Sequence, residues 1–134
     1  MKCLVKSSCI ICNKELIYHP SSSRGKFCSN KCQGVDRKNK ANKIRIKLLK
    51  QGKLIHRNAI KKALLAMGIK HKCSICGISE WMNKPLSMVL DHIDGRANNN
   101  TLENFRLLCH NCDSQSSHYK GRNKGNGRKS LGLI

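Results

Sequence analysis

Aromatic and acidic residues are scarce in this chain of 134 residues. It holds two Phe, two Tyr and one Trp, and only seven Asp and Glu against 27 Lys and Arg. So few aromatic side chains exclude a large aromatic core, and the length allows one ordinary domain or two very small ones. No apolar run approaches the ~18 residues of a membrane-spanning helix, and no apolar signal peptide opens the sequence. We therefore expect no membrane partner and a reducing, cytoplasmic environment.

The positive charge lies mostly outside one acidic segment. The formal net charge is +20 at pH 7. Residues 36–72 carry 13 Lys and Arg against one acid, whereas residues 73–113 carry three against five of the seven acids. This balance is typical of a protein that binds a polyanion. Carboxylates gathered into one segment of a basic chain indicate a site for a divalent cation.

Eight of the nine cysteines form two groups with the spacing of zinc ligands, and the ninth, Cys3, has no assigned role. The groups read Cys9-x2-Cys12-x15-Cys28-x3-Cys32 and Cys73-x2-Cys76-x32-Cys109-x2-Cys112. Closely spaced pairs favour zinc over disulfides in a chain without a signal peptide. Four thiolates leave no open coordination position, so both zinc sites are expected to be structural.

Two helices are predicted between the cysteine groups. The first is a basic helix over residues 36–51, with an apolar track through Ala41, Ile44 and Leu48 and a break at Gly52. It fits either a phosphate-contacting helix or a solvated linker. The second covers residues 55–67, ends at Gly68 and has a stripe expected to pack on the second zinc module: Ile60, Ala63, Leu64 and Met67.

The acidic segment predicts two strands and a helix. Residues 88–90 read as a strand before Asp91 and His92, and residues 105–108 as a second strand that leads into the last cysteine pair. A helix should start at that pair, run through Ser117 and carry Asp113 on its first turn. Neighbouring strand residues point to opposite faces, so Asp91 and His92 can serve one site only if the strand ends or twists there.

Two further segments have simple expectations. Trp81 is expected to cover the second zinc module as a core residue. The tail from residue 118 mixes Gly and Asn with Lys and Arg and is expected to be flexible when free.

These residues together resemble the HNH endonucleases, also called ββα-metal or His-Me finger nucleases. The resemblance covers about residues 55–124, and the first zinc module resembles the accessory finger of phage and homing-type members. It is carried by Cys73-x2-Cys76, Leu-Asp-His-Ile-Asp-Gly at 90–95, Asn-Asn at 99–100, Leu-Glu-Asn-Phe-Arg-Leu-Leu-Cys at 102–109 and Asn-Cys-Asp at 111–113.

The resemblance implies a role for each motif residue. His92 would be the general base, and Asp91 and Asp113 would bind one catalytic Mg²⁺ or Mn²⁺. Asn104 would brace the long loop and orient His92. Many members carry His or Asn where this chain has Asp113, but a carboxylate is also a good ligand for Mg²⁺. The residue types agree with these roles, since a neutral His accepts protons near pH 7. The alternatives for His92 are a structural histidine or a stray zinc ligand.

The sequence thus predicts a small α+β fold in which a four-cysteine zinc site staples a ββα-metal nuclease core. Basic helices and a separate four-cysteine zinc finger precede this core. The expected segments are a zinc finger (1–35), a basic helical linker (36–54), the nuclease domain (55–120) and a basic flexible tail (121–134). DNA contacts are expected from nine basic residues: Lys43, Arg45, Lys47, Lys61, Lys62, Arg96, Lys120, Arg122 and Lys124.

The expected function is metal-dependent hydrolysis of double-stranded DNA, leaving 5′-phosphate and 3′-hydroxyl ends. One active site favours a monomer over a dimer, and the expected location is the cytoplasm of a bacterial or phage-infected cell. Two alternatives stay open. A non-catalytic zinc-finger nucleic-acid-binding protein explains the charge but leaves Asp91, Asp94 and Asp113 without a role. An RNA- or ribosome-associated zinc protein shares the composition.

Overall fold

The computed structural model describes residues 4–21 and 25–132, so Cys3 lies outside the described part. The chain is a small α+β protein that divides into two compact units, Met1–Lys43 and Ile44–Ile134. No helix in the described ranges is both long enough and apolar enough to cross a membrane.

The first unit begins with a β-hairpin that the sequence did not predict. Strands β1 (Val5–Ser8) and β2 (Glu15–Tyr18) are antiparallel. The connection between them starts with Cys9, whose carbonyl accepts a 2.9 Å hydrogen bond from Asn13 N–H. The hairpin therefore presents the first cysteine pair of the chain at its turn.

Helix α1 (Asn30–Lys50) begins earlier than the predicted residue 36. Ser29 Oγ accepts a 3.3 Å hydrogen bond from Cys32 N–H, which is the contact made by a serine at a helix N-cap. Along the apolar track of α1, Ile44 is 61% exposed, and the buried residue of the helix is Leu49.

Helix α2 (Arg57–Ala66) buries Ile60, Ala63 and Leu64, which confirms most of the predicted stripe. Met67 was wrongly included, since it is the C-cap residue and is 36% exposed. Gly68 confirms the predicted stop: its φ is +91°, and Ile69 N–H donates back to Leu64 O at 3.1 Å. This left-handed residue with a six-to-one hydrogen bond is a common helix ending.

A short hairpin follows the first knuckle of the second cysteine group. Strands β3 (Glu80–Trp81) and β4 (Lys84–Pro85) are joined by Met82 and Asn83, both with positive φ. Two such residues are typical of the tight type I′ turn. Trp81 is 64% exposed and Met82 80% exposed, so the expectation that Trp81 is a core residue was wrong.

The motif segment forms an antiparallel pair followed by a helix. Strand β5 (Val89–His92) pairs with β6 (Phe105–Leu108), close to the predicted bounds. Helix α3 (His110–Ser114) lies against both strands but ends before the predicted Ser117. A turn of 3₁₀ helix, Leu102–Asn104, precedes β6. The core of this unit combines α2, the β5–β6 pair and the end of α1: Leu49, Leu54, Ile60, Ala63, Leu64, Cys73, Met88, Leu90, Phe105, Leu107, Leu108 and Cys109.

The C-terminal segment differs from the flexible tail that the sequence predicts. It contains a 3₁₀ turn, Lys120–Arg122. Asn123 Nδ2 donates to Gly95 O at 2.8 Å, and Ala97 N–H donates to Asn126 O at 3.2 Å. These hydrogen bonds hold the segment against the loop that follows β5.

Candidate active site

Each cysteine group brings four sulfur atoms into one cluster that could hold zinc. The four Sγ atoms of each group all lie within 4.8 Å of one another. In the first group the Sγ atoms of Cys12 and Cys28 are 3.4 Å apart, and in the second those of Cys76 and Cys109 are 3.7 Å apart. A Zn–S bond of about 2.3 Å in a tetrahedron requires sulfur atoms roughly 3.8 Å apart, so both groups have the right size.

The thiol acidities of the second group are compatible with a shared cation. Burial and the neighbouring thiols together raise the pKa of Cys112 to about 12. Burial also acts to raise the pKa of Cys73, but hydrogen bonds from the N–H groups of Cys109, Cys76 and Ile75 lower it to about 6. Thiols this close resist ionising together, and a zinc ion would stabilise all four thiolates.

Asp91 is a buried carboxylate with a donor on each oxygen. It is 7% exposed and lies directly across the strand pair from Arg106, whose Nε donates to Oδ2 at 2.6 Å. His118 Nε2 lies 2.9 Å from Oδ1. Because a carboxylate only accepts, the Nε2 of His118 carries the proton in this contact. An ionised carboxylate accepts about four hydrogen bonds or metal bonds in all, so Asp91 keeps capacity for a further ligand.

His92 is half-buried at the last position of β5. Its ring lies 4.9 Å from the ring of Phe105, the residue opposite it in the pair. His92 Nε2 lies 3.1 Å from Asn100 Oδ1. The strand ends here, and Gly95 N–H closes a turn by donating to His92 O at 2.9 Å. This ending meets the condition under which Asp91 and His92 can serve one site.

Asn104 ties down the loop between the two strands. It is 8% exposed, and its Oδ1 accepts from Asp94 N–H at 3.1 Å. Its Nδ2 donates to Asp94 Oδ1 and to Asn99 O, both at 2.9 Å. All of the side chain's main donors and acceptors thus go to the loop that also carries Asn100.

Asp94 completes this loop network. Burial acts to raise its pKa, but hydrogen bonds from Asn99 Nδ2, Arg96 N–H and Asn104 Nδ2 outweigh burial and lower the pKa to about 2. The Asp94 carboxylate is therefore ionised at neutral pH. Its hydrogen bonds give it a structural part in the loop.

Most residues of the predicted site line an open cleft of about 610 Å³. Its polar lining includes Asp91, His92, Asn100, Asp113, His118 and Asn123. Asp113 lies on α3 and is half-buried. Apart from the two cysteine groups, no set of three or more His, Cys, Asp and Glu side chains in the described ranges converges on one point. Asp91 and Asp113 therefore share a cleft without forming a closed protein cage.

Of the nine predicted basic residues, Lys120 lies in the cleft, whereas Lys61 and Arg122 hydrogen bond to backbone carbonyls. Lys120 lines the cleft together with Arg57 and Arg128, which the sequence did not single out. Lys61 was expected to contact DNA, and its Nζ donates to Met88 O at 2.6 Å. Arg122 donates from its two Nη atoms to the carbonyls of residues 116 and 114, at 2.8 and 2.7 Å. Lys61 and Arg122 therefore hold the protein together as well as adding charge.

The contacts that Arg106, Asn100 and His118 make with Asp91 and His92 were not predicted from the sequence. Strand register offers a signal for Arg106, because a residue opposite Asp91 must share its face. Asn100 stands in a run of three Asn, which indicates only a loop. His118 lies 27 positions after Asp91 in a segment with the composition of a linker, so no local pattern connects the two.

One curated protein gives a partial match. The chain is 38% identical over 78 residues to the H-N-H endonuclease F-TflIV of Escherichia phage T5. The match covers 58% of this chain and 34% of that protein, so the chain spans about one third of the relative's length. No protein-family model and no solved structure matches the chain. This chain is therefore similar to an H-N-H endonuclease over 78 of its residues.

Proposed function

We propose that this chain is a DNA endonuclease with a ββα-metal core that hydrolyses phosphodiester bonds of double-stranded DNA as a monomer. One observation carries the proposal: Asp91 and His92 meet in a single cleft at the end of β5, beside a loop tied down by Asn104. A protein that only binds nucleic acid has no need of this arrangement.

The proposed general base is His92. With Asn100 Oδ1 accepting from Nε2, the neutral ring has its Nδ1 free to take a proton from a water in the cleft. The oxygen of that water attacks phosphorus, the bond to the 3′ oxygen breaks, and the departing oxygen takes a proton from solvent water. The products are a 5′-phosphate and a 3′-hydroxyl. A positioned general base commonly contributes about 10²–10⁴-fold to such a rate.

The carboxylates of the cleft fit a hard divalent cation. Asp91 and Asp113 supply oxygen donors from a strand end and from the helix that follows. Protein sites for Mg²⁺ commonly use one or two carboxylates, with water and substrate phosphate as the other ligands. When bound, Mg²⁺ or Mn²⁺ would neutralise charge on the phosphoryl oxygens and on the leaving oxygen.

The surface charge favours a polyanionic substrate. The net charge is +20, and three basic side chains, Arg57, Lys120 and Arg128, line the same cleft as Asp91. Charge of one sign beside a site raises the local concentration of an oppositely charged substrate. The proposed substrate is DNA in the cytoplasm of a bacterial or phage-infected cell.

The test is conversion of supercoiled plasmid by protein loaded with zinc, with Mg²⁺ or Mn²⁺ added or omitted. Chelator is left out because it would also remove structural zinc. We expect nicked circles only when Mg²⁺ or Mn²⁺ is present, and we expect DNA ligase to reseal them, since it joins 5′-phosphate to 3′-hydroxyl ends. Binding without cleavage under every metal condition would instead support the non-catalytic zinc-finger protein. Tighter binding to RNA than to duplex DNA would support the RNA-associated alternative.

A further inference from the structure

The C-terminal segment reaches the carboxylate at the centre of the proposed site. His118 Nε2 donates to Asp91 Oδ1 at 2.9 Å, and the His118 side chain is 18% exposed. Arg106 Nε occupies the other oxygen, Oδ2, at 2.6 Å. The two donors approach from different parts of the chain, so together they fix the orientation of the carboxylate plane.

Several contacts hold the segment that carries His118 in place. On one side, Asn123 Nδ2 donates to Gly95 O at 2.8 Å. On the other, both Nη atoms of Arg122 donate to backbone carbonyls, one at residue 114, where α3 ends, and one at residue 116. The segment is thus fastened both to the loop after β5 and to the helix that carries Asp113.

Gly95 makes the approach of His118 possible. A Cβ atom at this position would lie 3.0 Å from both Cβ and Cγ of His118, and Gly95 has a φ of +72°. Side chains rarely tolerate either condition. The turn after β5 is therefore shaped to let the His118 ring lie against its backbone.

We propose that His118 is a positioning residue, which holds Asp91 ready for the divalent cation, and that residues 118–126 are part of the active site. The inference rests on the proposed function, because Asp91 is the ligand that it serves. Groups that hydrogen bond to a metal ligand fix its rotamer, and their loss typically costs about 10–100-fold in metal affinity or activity. Arg106 alone would leave Oδ1 without a partner and the carboxylate free to turn about its last bond.

The experiment compares wild type with His118→Ala and His118→Gln, and with His71→Ala as a matched control. His71 is an exposed histidine outside the cleft lining. Two quantities are measured on zinc-loaded full-length protein. The first is the Kd for Mn²⁺ without DNA, from the electron paramagnetic resonance signal of free Mn²⁺. The second is the Mg²⁺ midpoint of single-turnover plasmid cleavage.

We expect His118→Ala to weaken Mn²⁺ binding and to raise the Mg²⁺ midpoint, each by about 10–100-fold. His118→Gln should recover part of both, because its side-chain amide can still donate to Asp91, and His71→Ala should match wild type. Recovery by His118→Gln would show that the hydrogen bond to Asp91 matters, and not only the packing of the ring. Asn123→Ala should raise the Mn²⁺ Kd and the Mg²⁺ midpoint as well, but by less.

Two outcomes would overturn the inference. If His118→Ala keeps wild-type Mn²⁺ affinity and the wild-type Mg²⁺ midpoint, His118 does not position Asp91, while the proposed function stands. If wild type itself neither binds Mn²⁺ nor cleaves DNA, the proposed function fails and the inference fails with it. The two failures are distinguished by the wild-type measurements alone.

Discussion

His92 Nε2 and Asn100 Oδ1 lie 3.1 Å apart, across the loop that joins β5 to β6. The contact fixes which ring nitrogen of His92 carries the proton in the neutral state, because an amide oxygen only accepts. It leaves Nδ1 as the nitrogen that can accept a proton from water. Asn100 in turn depends on Asn104, whose Nδ2 holds the neighbouring Asn99 O at 2.9 Å.

The first prediction concerns Asn100. Asn100→Ala should lower the single-turnover rate at saturating Mg²⁺ by roughly 10-fold, less than loss of the base itself, because His92 stays present but loses its orienting partner. Asn100→Asp should keep most of the rate, since its carboxylate also accepts from Nε2. The measurement is single-turnover cleavage under saturating enzyme. Equal rates for Asn100→Ala and wild type would remove this contact from the mechanism.

The second prediction concerns Asp113 as a metal ligand. Asp113→Ala should raise the Mg²⁺ concentration needed for half-maximal cleavage and lower the maximal rate, because a carboxylate is lost from the cleft. Asp113→Asn should recover part of the activity through its amide oxygen. A Mg²⁺ titration of the three proteins checks this. An unchanged Mg²⁺ midpoint with a small fall in Tm would show that Asp113 stabilises helix α3 and does not bind the metal.

The third prediction separates two adjacent lysines on α2, both expected from the sequence to bind DNA. Lys62 is exposed, so Lys62→Ala should flatten the plot of log affinity against log salt by about 0.9 if one phosphate contact is lost. Lys61 donates to Met88 O at 2.6 Å, so Lys61→Ala should lower the free energy of unfolding by about 1 kcal/mol. Each variant is the control for the other in urea unfolding and in salt-dependent binding. The reverse pattern would contradict the assignment.

The fourth prediction concerns the two cysteine groups. Native mass spectrometry should find two zinc ions per chain, because each group brings four sulfur atoms within 4.8 Å. Cys73→Ser should unfold the second unit, since metal binding supplies much of the folding free energy of small zinc modules. Cys9→Ser should lose one zinc but keep cleavage of non-specific DNA. A single zinc in wild type would remove the first group from the account.

Sequence patterns predicted the elements that depend on local periodicity. The α2 stripe through Ile60 and Leu64 and the β6 strand are confirmed almost residue for residue, because burial of one face repeats at the period of the element. The motif also placed Asp91 and His92 at the end of a strand, as observed. These features depend only on residues that are close together in the sequence.

Contacts between distant segments could not be predicted in the same way. His118 reaches Asp91 through a turn shaped by Gly95, in a segment whose Gly, Asn, Lys and Arg content predicts a linker. The composition indicates that this segment has few apolar side chains to bury. Hydrogen bonds between polar groups hold it in place without an apolar core. The prediction that Trp81 is a core residue was wrong for a related reason. It was based on the aromatic side chain alone, whereas Trp81 flanks a two-residue turn and is exposed.

The most direct test of the account is His92→Ala, measured for binding and for cleavage in the same preparation. The variant should bind duplex DNA with wild-type affinity, because the basic surface is intact, and should keep both zinc ions. Its single-turnover rate at saturating Mg²⁺ should fall by about 10²–10⁴-fold. A His92→Ala protein that cleaves DNA at close to the wild-type rate would contradict the assignment of the general base and of the cleft as the active site.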